Sequence, residues 1–393
     1  MWKSFRIGSL FGIPIKLDVT FLLILPIFAY LIAAQIEQTA DIFNEVMGAG
    51  IEVGALTGGY TPFLWGLIAA IGLFVGVVLH ELGHSLTAQR YGYPIDSITL
   101  WLLGGIAALS EMPENWKQEF GIAIAGPIVS VLVGIGSYGL FLVTPESLAG
   151  ARFIFAYLAI LNIALAIFNM LPAFPMDGGR ILRALLARNQ PYAKATRQAA
   201  TVGKGFAVLM GLFGLFAWNP ILIAVALFVY IAASGESQQV TMKAAFQDVT
   251  VGDIMTPAGR LQTVTTDTTI DALIQRMFRE RHTAYPVLDD GYLVGLVTLD
   301  DAREVRQVER EAYTVGEVMR TDLPTIQPEA DVMSAIERMR GQGIGRLLVV
   351  DDGEWGGNGD LVGLISRSDV MTALDVVQQS GSVTPSRGRQ PAD

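Results

Sequence analysis

The chain has no cysteine among its 393 residues. Disulfides, thiolate metal ligands and cysteine nucleophiles are thereby excluded, so any metal site must be built from His, Asp or Glu. Histidine is scarce too, at three residues, and 16% of the chain is charged against 52% hydrophobic. That balance is too apolar for an ordinary soluble domain of this length. Residues 37–62 contain no Lys or Arg. The opening MWKSFRIGSLFGIPIKLDVT lacks a small-residue cleavage site behind a short apolar core, and is read as an amphipathic lead-in and not a removed signal peptide.

The apolar character is uneven. Residues 1–235 hold 12 basic and 12 acidic side chains, whereas residues 236–393 hold 15 and 25, so the second part carries the whole net charge of −10. An acidic part of this kind argues against binding nucleic acid through a basic patch. A bilayer core of about 30 Å needs roughly 20 apolar residues to cross it, and six candidate spans lie near 18–36, 63–86, 120–143, 152–171, 204–218 and 221–235. Lys3, Arg6 and Lys16 place the amino terminus in the cytoplasm, and Arg180, Arg183, Arg188, Lys194, Arg197 and Lys204 crowd the segment 180–204. Six spans then put 37–62 outside and both 180–204 and the acidic part inside, in agreement with the charge bias. The expected fold is a polytopic α-helical membrane protein of the cell membrane, followed by a soluble α/β module.

Between spans two and three, YPIDSITLWLLGGIAALSEMP is too broken by Gly104-Gly105 for a helix. A short strand or re-entrant hairpin is expected there. The soluble part contains a repeat: VTVGDIMT (249–256) returns as YTVGEVMR (313–320), IDALIQRM (270–277) as VMSAIERM (332–339), and YLVGLVTLDD (292–301) as DLVGLISRSD (360–369). Each unit reads as strand, helix, strand, strand, helix. The expected organisation is a membrane domain over 1–236, repeat units over 247–308 and 312–378, and a polar disordered tail over 379–393.

Span two ends in His80-Glu81-Leu82-Gly83-His84. A separation of four residues puts both imidazoles on one helix face, about one turn apart. Two nitrogens at that spacing suit tetrahedral zinc, and Glu81 is placed to take a proton from the water that such a metal activates. A catalytic zinc wants a third protein ligand and an open position. His282 lies in the repeat, Glu37, Asp41, Glu45 and Glu52 lie on the outer side, and Glu111, Glu114 and Glu119 fall in a loop, whereas Asp177 closes span four at the depth of the histidines. Asp177 is therefore the choice. Asn169 in the same span could donate its amide to a developing oxyanion; satisfying helix backbone broken near Pro172 is its competing role.

HELGH at 80–84, followed by Asn169, Pro172, Pro175 and Asp177-Gly178, resembles the site-2 protease family of intramembrane zinc metalloproteases. The likeness covers roughly residues 1–235, including IGSLFGIPIKLDVTF and the Ala125-Gly126-Pro127 step. It implies one zinc per chain on His80, His84 and Asp177, water activation by Glu81, and stabilisation of the tetrahedral intermediate by Asn169. It also implies that the strand at Gly104 and Gly105 pairs with an unwound transmembrane substrate. Two positions depart from the family pattern: Asp18 stands where many relatives have His, and Ser130 where many have Asn. Neither is an implied metal ligand, and the departures bear on substrate handling more than on chemistry.

Each repeat unit ends in Gly-Leu-(Val/Ile)-(Thr/Ser)-x-x-Asp, with Thr298 and Asp301 in the first and Ser366 and Asp369 in the second. This resembles a tandem pair of CBS domains. The resemblance implies clefts for an adenine nucleotide (ATP, ADP or AMP), with the hydroxyls toward phosphate and the carboxylates toward ribose, and a homodimer through the module. The competing role of the same residues is capping boxes that bind nothing. A divalent metal transporter gated by the repeats is the alternative function, and a catalytically dead scaffold a third. The first leaves Glu81 without a use and lacks an inverted repeat among the spans.

Overall fold

The computed structural model describes residues 4–101, 104–109, 113–351 and 360–380. The chain divides into two compact units, Met1–Val240 and Thr241–Asp393.

The lead-in is a hairpin of β1 (Ser4–Leu10) and β2 (Ile13–Asp18). Asp18 ends β2 and caps α1 (Val19–Ala34), its carboxylate accepting the Thr20 N–H at 2.9 Å. That is a structural use for an acid at this position. Helix α2 (Ile36–Met47) continues α1 with a bend of 59° and stops at Gly48, which is left-handed at φ 60°. A single turn, α3 (Gly54–Thr57), precedes the 30-residue α4 (Thr61–Arg90). Then come β3 (Ile95–Trp101), β4 (Gly104–Leu109), α5 (Trp116–Val143), α6 (Ala149–Asn169), the short α7 (Asp177–Ala187), α8 (Tyr192–Phe216) and α9 (Pro220–Ala245). Among the described residues, five helices are long and apolar enough to cross a membrane, or six if α1 and α2 form one bent span.

Three sequence expectations are revised. The fifth span, expected at 204–218, is longer, because α8 begins at Tyr192 and takes Lys194 and Arg197 into the helix. Glu119 is not in a loop but buried in the first turn of α5, which Asn115 caps by accepting the Lys117 N–H at 3.0 Å. Glu111 lies outside the described residues. The lead-in also forms one four-stranded sheet with the Gly104-Gly105 segment, in the order β1-β2-β3-β4, with β2 parallel to β3 through Ile15 opposite Ile98. Ile13 and Ile98 of that sheet pack on Leu79, Leu82 and Leu86, one stripe of α4. The sheet therefore covers the face of α4 that the histidines do not use.

The second unit holds both repeats. The first comprises α10 (Val251–Ile254), β5 (Thr256–Pro257), β6 (Val264–Thr265), α11 (Ile270–Glu280), β7 (Ala284–Asp289), β8 (Tyr292–Thr298) and α12 (Leu299–Glu304). The second comprises α13 (Val315–Val318), β9 (Thr325–Ile326), α14 (Val332–Gly341), β10 (Arg346–Asp351), β11 (Asp360–Ser366) and α15 (Arg367–Ser380). The strand–helix–strand–strand–helix pattern is thus preceded by one extra helical turn in each unit. The repeats exchange their leading segments: β5 pairs with β11 of the second sheet, and Arg320, the repeat equivalent of Thr256, bridges to Leu296 of β8. Met319 and Met255 fill the matching places over Gly295 and Gly363. Of the expected tail, α15 reaches Ser380 and residues 381–393 lie outside the described part.

Candidate metal centre

Helix α4 delivers His80 and His84 to the side facing α5 and α7, where both are buried. Asp177 is the first residue of α7, also buried. Its Oδ2 lies 3.1 Å from His80 Nε2 and 3.2 Å from His84 Nε2, and the two Nε2 atoms are 3.2 Å apart. Three ligand-type atoms thus form a near-equilateral triangle. For zinc bonded at about 2.0–2.2 Å, a tetrahedral face has edges of roughly 3.3 Å, so the donor set and its spacing fit that ion. It is also the one His/Asp/Glu cluster of this kind among the described residues.

The opposite ring nitrogens are held. His84 Nδ1–H donates to the Ile122 carbonyl at 2.7 Å, which fixes the tautomer that leaves Nε2 free as an acceptor. His80 Nδ1 is 2.8 Å from Ser130 Oγ. The Ser130 departure therefore touches the back of a candidate ligand and bears on metal binding, contrary to the sequence expectation. Both partners come from α5, 38 and 50 residues from their histidines, so no local pattern in the chain announces them.

Gly126, in the Ala-Gly-Pro step of α5, leaves the space in front of the histidines. A Cβ there would lie 2.3 Å from His84 Nε2 and 2.8 Å from His80 Nε2. An atom of the chain would then stand where the triangle converges. Glu81 is half-buried beside the first histidine and is backed by β4: a Cβ on Gly105 would lie 2.5 Å from its Cγ. Asn169 spends its amide on its own helix, Nδ2–H donating to the Leu165 carbonyl at 3.0 Å, one turn back inside α6 and not at the break before Pro172. Gly104 opens β4, an edge strand of the sheet, opposite Trp101.

In the repeats, the same local chemistry recurs. Asp301 Oδ2 accepts the backbone N–H of Thr298 at 2.8 Å and its hydroxyl at 2.5 Å, while Oδ1 accepts Arg320 Nε–H at 2.8 Å. Burial pushes that carboxyl up, but the Thr298 and Arg320 hydrogen bonds outweigh it and hold the group below the usual range. Asp369 accepts the Ser366 N–H at 2.8 Å and hydroxyl at 2.7 Å. Both pairs are capping boxes as they stand. Thr298 also lines a cavity of about 1000 Å3 with Thr283, Arg320, Arg338 and Arg346, drawn from both repeats. Asp369 instead lines a smaller apolar groove of about 330 Å3 with Phe246, Val249 and Ile254. His282 is exposed after a left-handed Arg281, away from any such cluster.

A bundle of apolar helices with a buried two-histidine, one-carboxylate triangle defines the class as a membrane-helical protein with a candidate metal site, joined to an α/β repeat. Comparison with known proteins places it further. The family model described as Peptidase family M50 matches residues 68–148 and 145–212, and the CBS domain model matches 251–307 and 315–376. The chain is 34% identical over 375 residues to the zinc metalloprotease MJ0392 of Methanocaldococcus jannaschii, covering 95% of this chain and 97% of that protein. A solved structure, the site-2 protease from Methanocaldococcus jannaschii, is 40% identical, with 60% of this chain and 95% of that chain covered and a TM-score of 0.42. The chain belongs to peptidase family M50, the site-2 protease family of zinc metalloproteases, and carries a tandem pair of CBS domains.

Proposed function

We propose that this chain is an intramembrane endopeptidase that hydrolyses a peptide bond in a transmembrane segment of a membrane-protein substrate. The observation that carries the reading is the buried triangle of His80 Nε2, His84 Nε2 and Asp177 Oδ2 at one end of a 30-residue apolar helix. Ionisable groups in such a place mark a functional site by default. His80, His84 and Asp177 hold one zinc. When bound, it supplies a Lewis acid for a peptide carbonyl and brings the pKa of a water to about 7. Glu81 takes the proton of the attacking water on its carboxylate and returns it to the departing amine. Ser130 and the Ile122 carbonyl keep both imidazoles turned with Nε2 inward. Asn169 serves an oxyanion by releasing its bond to Leu165 when substrate arrives.

The substrate must unwind to expose its scissile amide, and β4 supplies the means. Its free edge offers backbone groups to an extended segment, beside Glu81. The amino terminus, the site and the CBS pair face the cytoplasm, by the basic residues at 180–204. The arginine-lined cavity between the repeats suits the phosphates of an adenine nucleotide, which regulates the enzyme. With Thr298 toward phosphate, Asp301 stays committed to Arg320, so the cavity's own arginines carry the recognition. The domain limits of 1–236 and 247–378 belong to the same reading, as does self-association through the CBS pair.

The test uses purified full-length protein in proteoliposomes with a panel of single-span reporter proteins. Wild type should cut within the span, and Glu81→Gln should retain about one zinc per chain and cut nothing. Equal cleavage by Glu81→Gln would reject the role of Glu81, and ion movement without cleavage would favour a metal transporter.

A further inference from the structure

A second buried ionic cluster lies in the membrane unit. Arg183, on α7, is 1% exposed. Its Nε–H donates to Glu119 Oε1 at 2.6 Å and its Nη1–H to Glu236 Oε1 at 2.5 Å. The guanidinium lies over the rings of Phe174 and Tyr192, at 5.0 and 4.8 Å from their centres. Glu119 Oε2 is buried with no hydrogen-bond partner. One cation thus joins α7 to α5 through Glu119 and to α9 through Glu236. A buried network of this kind is weak evidence for stability, since apolar side chains of similar volume often serve as well. Its fixed geometry calls for another account.

Two of the three helices it ties, α7 and α5, also build or back the metal centre. Asp177 is six residues before Arg183 on the same 11-residue helix, and Phe174, which stacks on Arg183, is three residues before Asp177. On α5, Glu119 is three residues before Ile122, which holds His84, and seven before Gly126. Resting on the metal reading above, we propose that Arg183 is a positioning residue for Asp177. The Glu119–Arg183–Glu236 network sets the height and rotation of α7 against α5, and so the place of Asp177 Oδ2 opposite the two imidazoles. A planar guanidinium can serve two carboxylates at fixed angles, which an ammonium cannot.

The experiment measures zinc affinity by chelator competition on full-length protein in detergent, beside the thermal unfolding of each metal-free variant. Arg183→Met should weaken zinc about 10–100-fold, the usual range for groups that orient a ligand, and Arg183→Lys by less. Glu236→Gln, which leaves the Glu119 pair intact, should give a smaller loss in the same direction, and it decides the matter if Arg183→Met does not fold. A lower melting temperature with unchanged zinc affinity in the folded fraction overturns the proposal and leaves Arg183 a purely structural residue. Asp177→Ala separates the two layers: if it keeps wild-type affinity, the three-ligand reading itself fails, and the positioning role with it.

Discussion

Gly126 is the residue at which packing and chemistry meet most closely. Its missing Cβ leaves open the position faced by His80, His84 and Asp177, and Gly126→Ala would put carbon 2.3 Å from His84 Nε2. Zinc per chain, by elemental analysis of detergent-purified protein, should fall from about one to near zero in this variant, as in His80→Ala. Ser130→Ala tests the support behind His80. Removal of the 2.8 Å contact to Nδ1 should weaken zinc roughly tenfold without emptying the site, as read by chelator competition. Parts of this site were legible and parts were not. The four-residue spacing of His80 and His84 is local, so helix geometry alone brought them together, and Asp177 followed from matching the depths of two span ends. Ser130, Ile122 and Arg183 act through contacts 38 to 64 residues apart. One chain without its packing does not disclose such contacts. Glu119 is hidden for a related reason: the polar start Asn-Trp-Lys-Gln-Glu has the composition of a loop, and only the Asn115 cap makes it the first turn of α5.

At the scale of elements, the strand-to-helix junctions of the two repeats show how one motif can serve two ends. Thr298 and Asp301 cap α12, and Asp301 also receives Arg320 from the partner repeat. Asp301→Ala removes both, and loss of such a cap costs about 1–2 kcal/mol. Thermal unfolding of the full chain should show a destabilised second unit at pH 7. The dependence on pH has a definite sign. The folded pKa of Asp301 is held below its unfolded value of about 3.9. Its contribution is therefore constant above pH 5 and lost as pH falls through the folded value. The gap between wild type and Asp301→Ala should narrow only in acid below about pH 4; a gap that closes between pH 5 and 8 would point to a different titrating group. The repeat units themselves were legible from self-similarity. The exchange of β5 and the Arg320 segment was not, because the leading VTVGDIMT and YTVGEVMR stretches carry no mark of which sheet they join.

For the whole molecule, that exchange makes each repeat incomplete alone. The second sheet takes β5 from the first repeat, and Met319 of the second repeat covers Gly295 of the first. A chain ended after Arg310 should leave residues 247–308 open to limited proteolysis, whereas the full chain resists; protection in the shortened chain would show that the first repeat folds unaided. The membrane unit was legible in outline from the apolar runs, with α1 and α2 the exception. Residues 37–47 look like an outer loop by charge, yet they continue the helix past a 59° bend.

The parallel pairing of β2 with β3 has a consequence for how the chain is made. Ile15 and Ile98 are neighbours across that ladder, but they stand 83 positions apart in the chain, with α1, α2 and α4 between them. A ribosome releases the hairpin of β1 and β2 long before its partner strand exists. The hairpin must therefore wait, with the β2 side of its ladder unpaired, until the helix bearing His80 and His84 has been synthesised and the chain has turned back. Closure of the sheet therefore cannot precede the synthesis of α4 and β3. Because β4 joins through β3, the strand beside Glu81 takes its final place only after both candidate zinc-binding histidines have been translated.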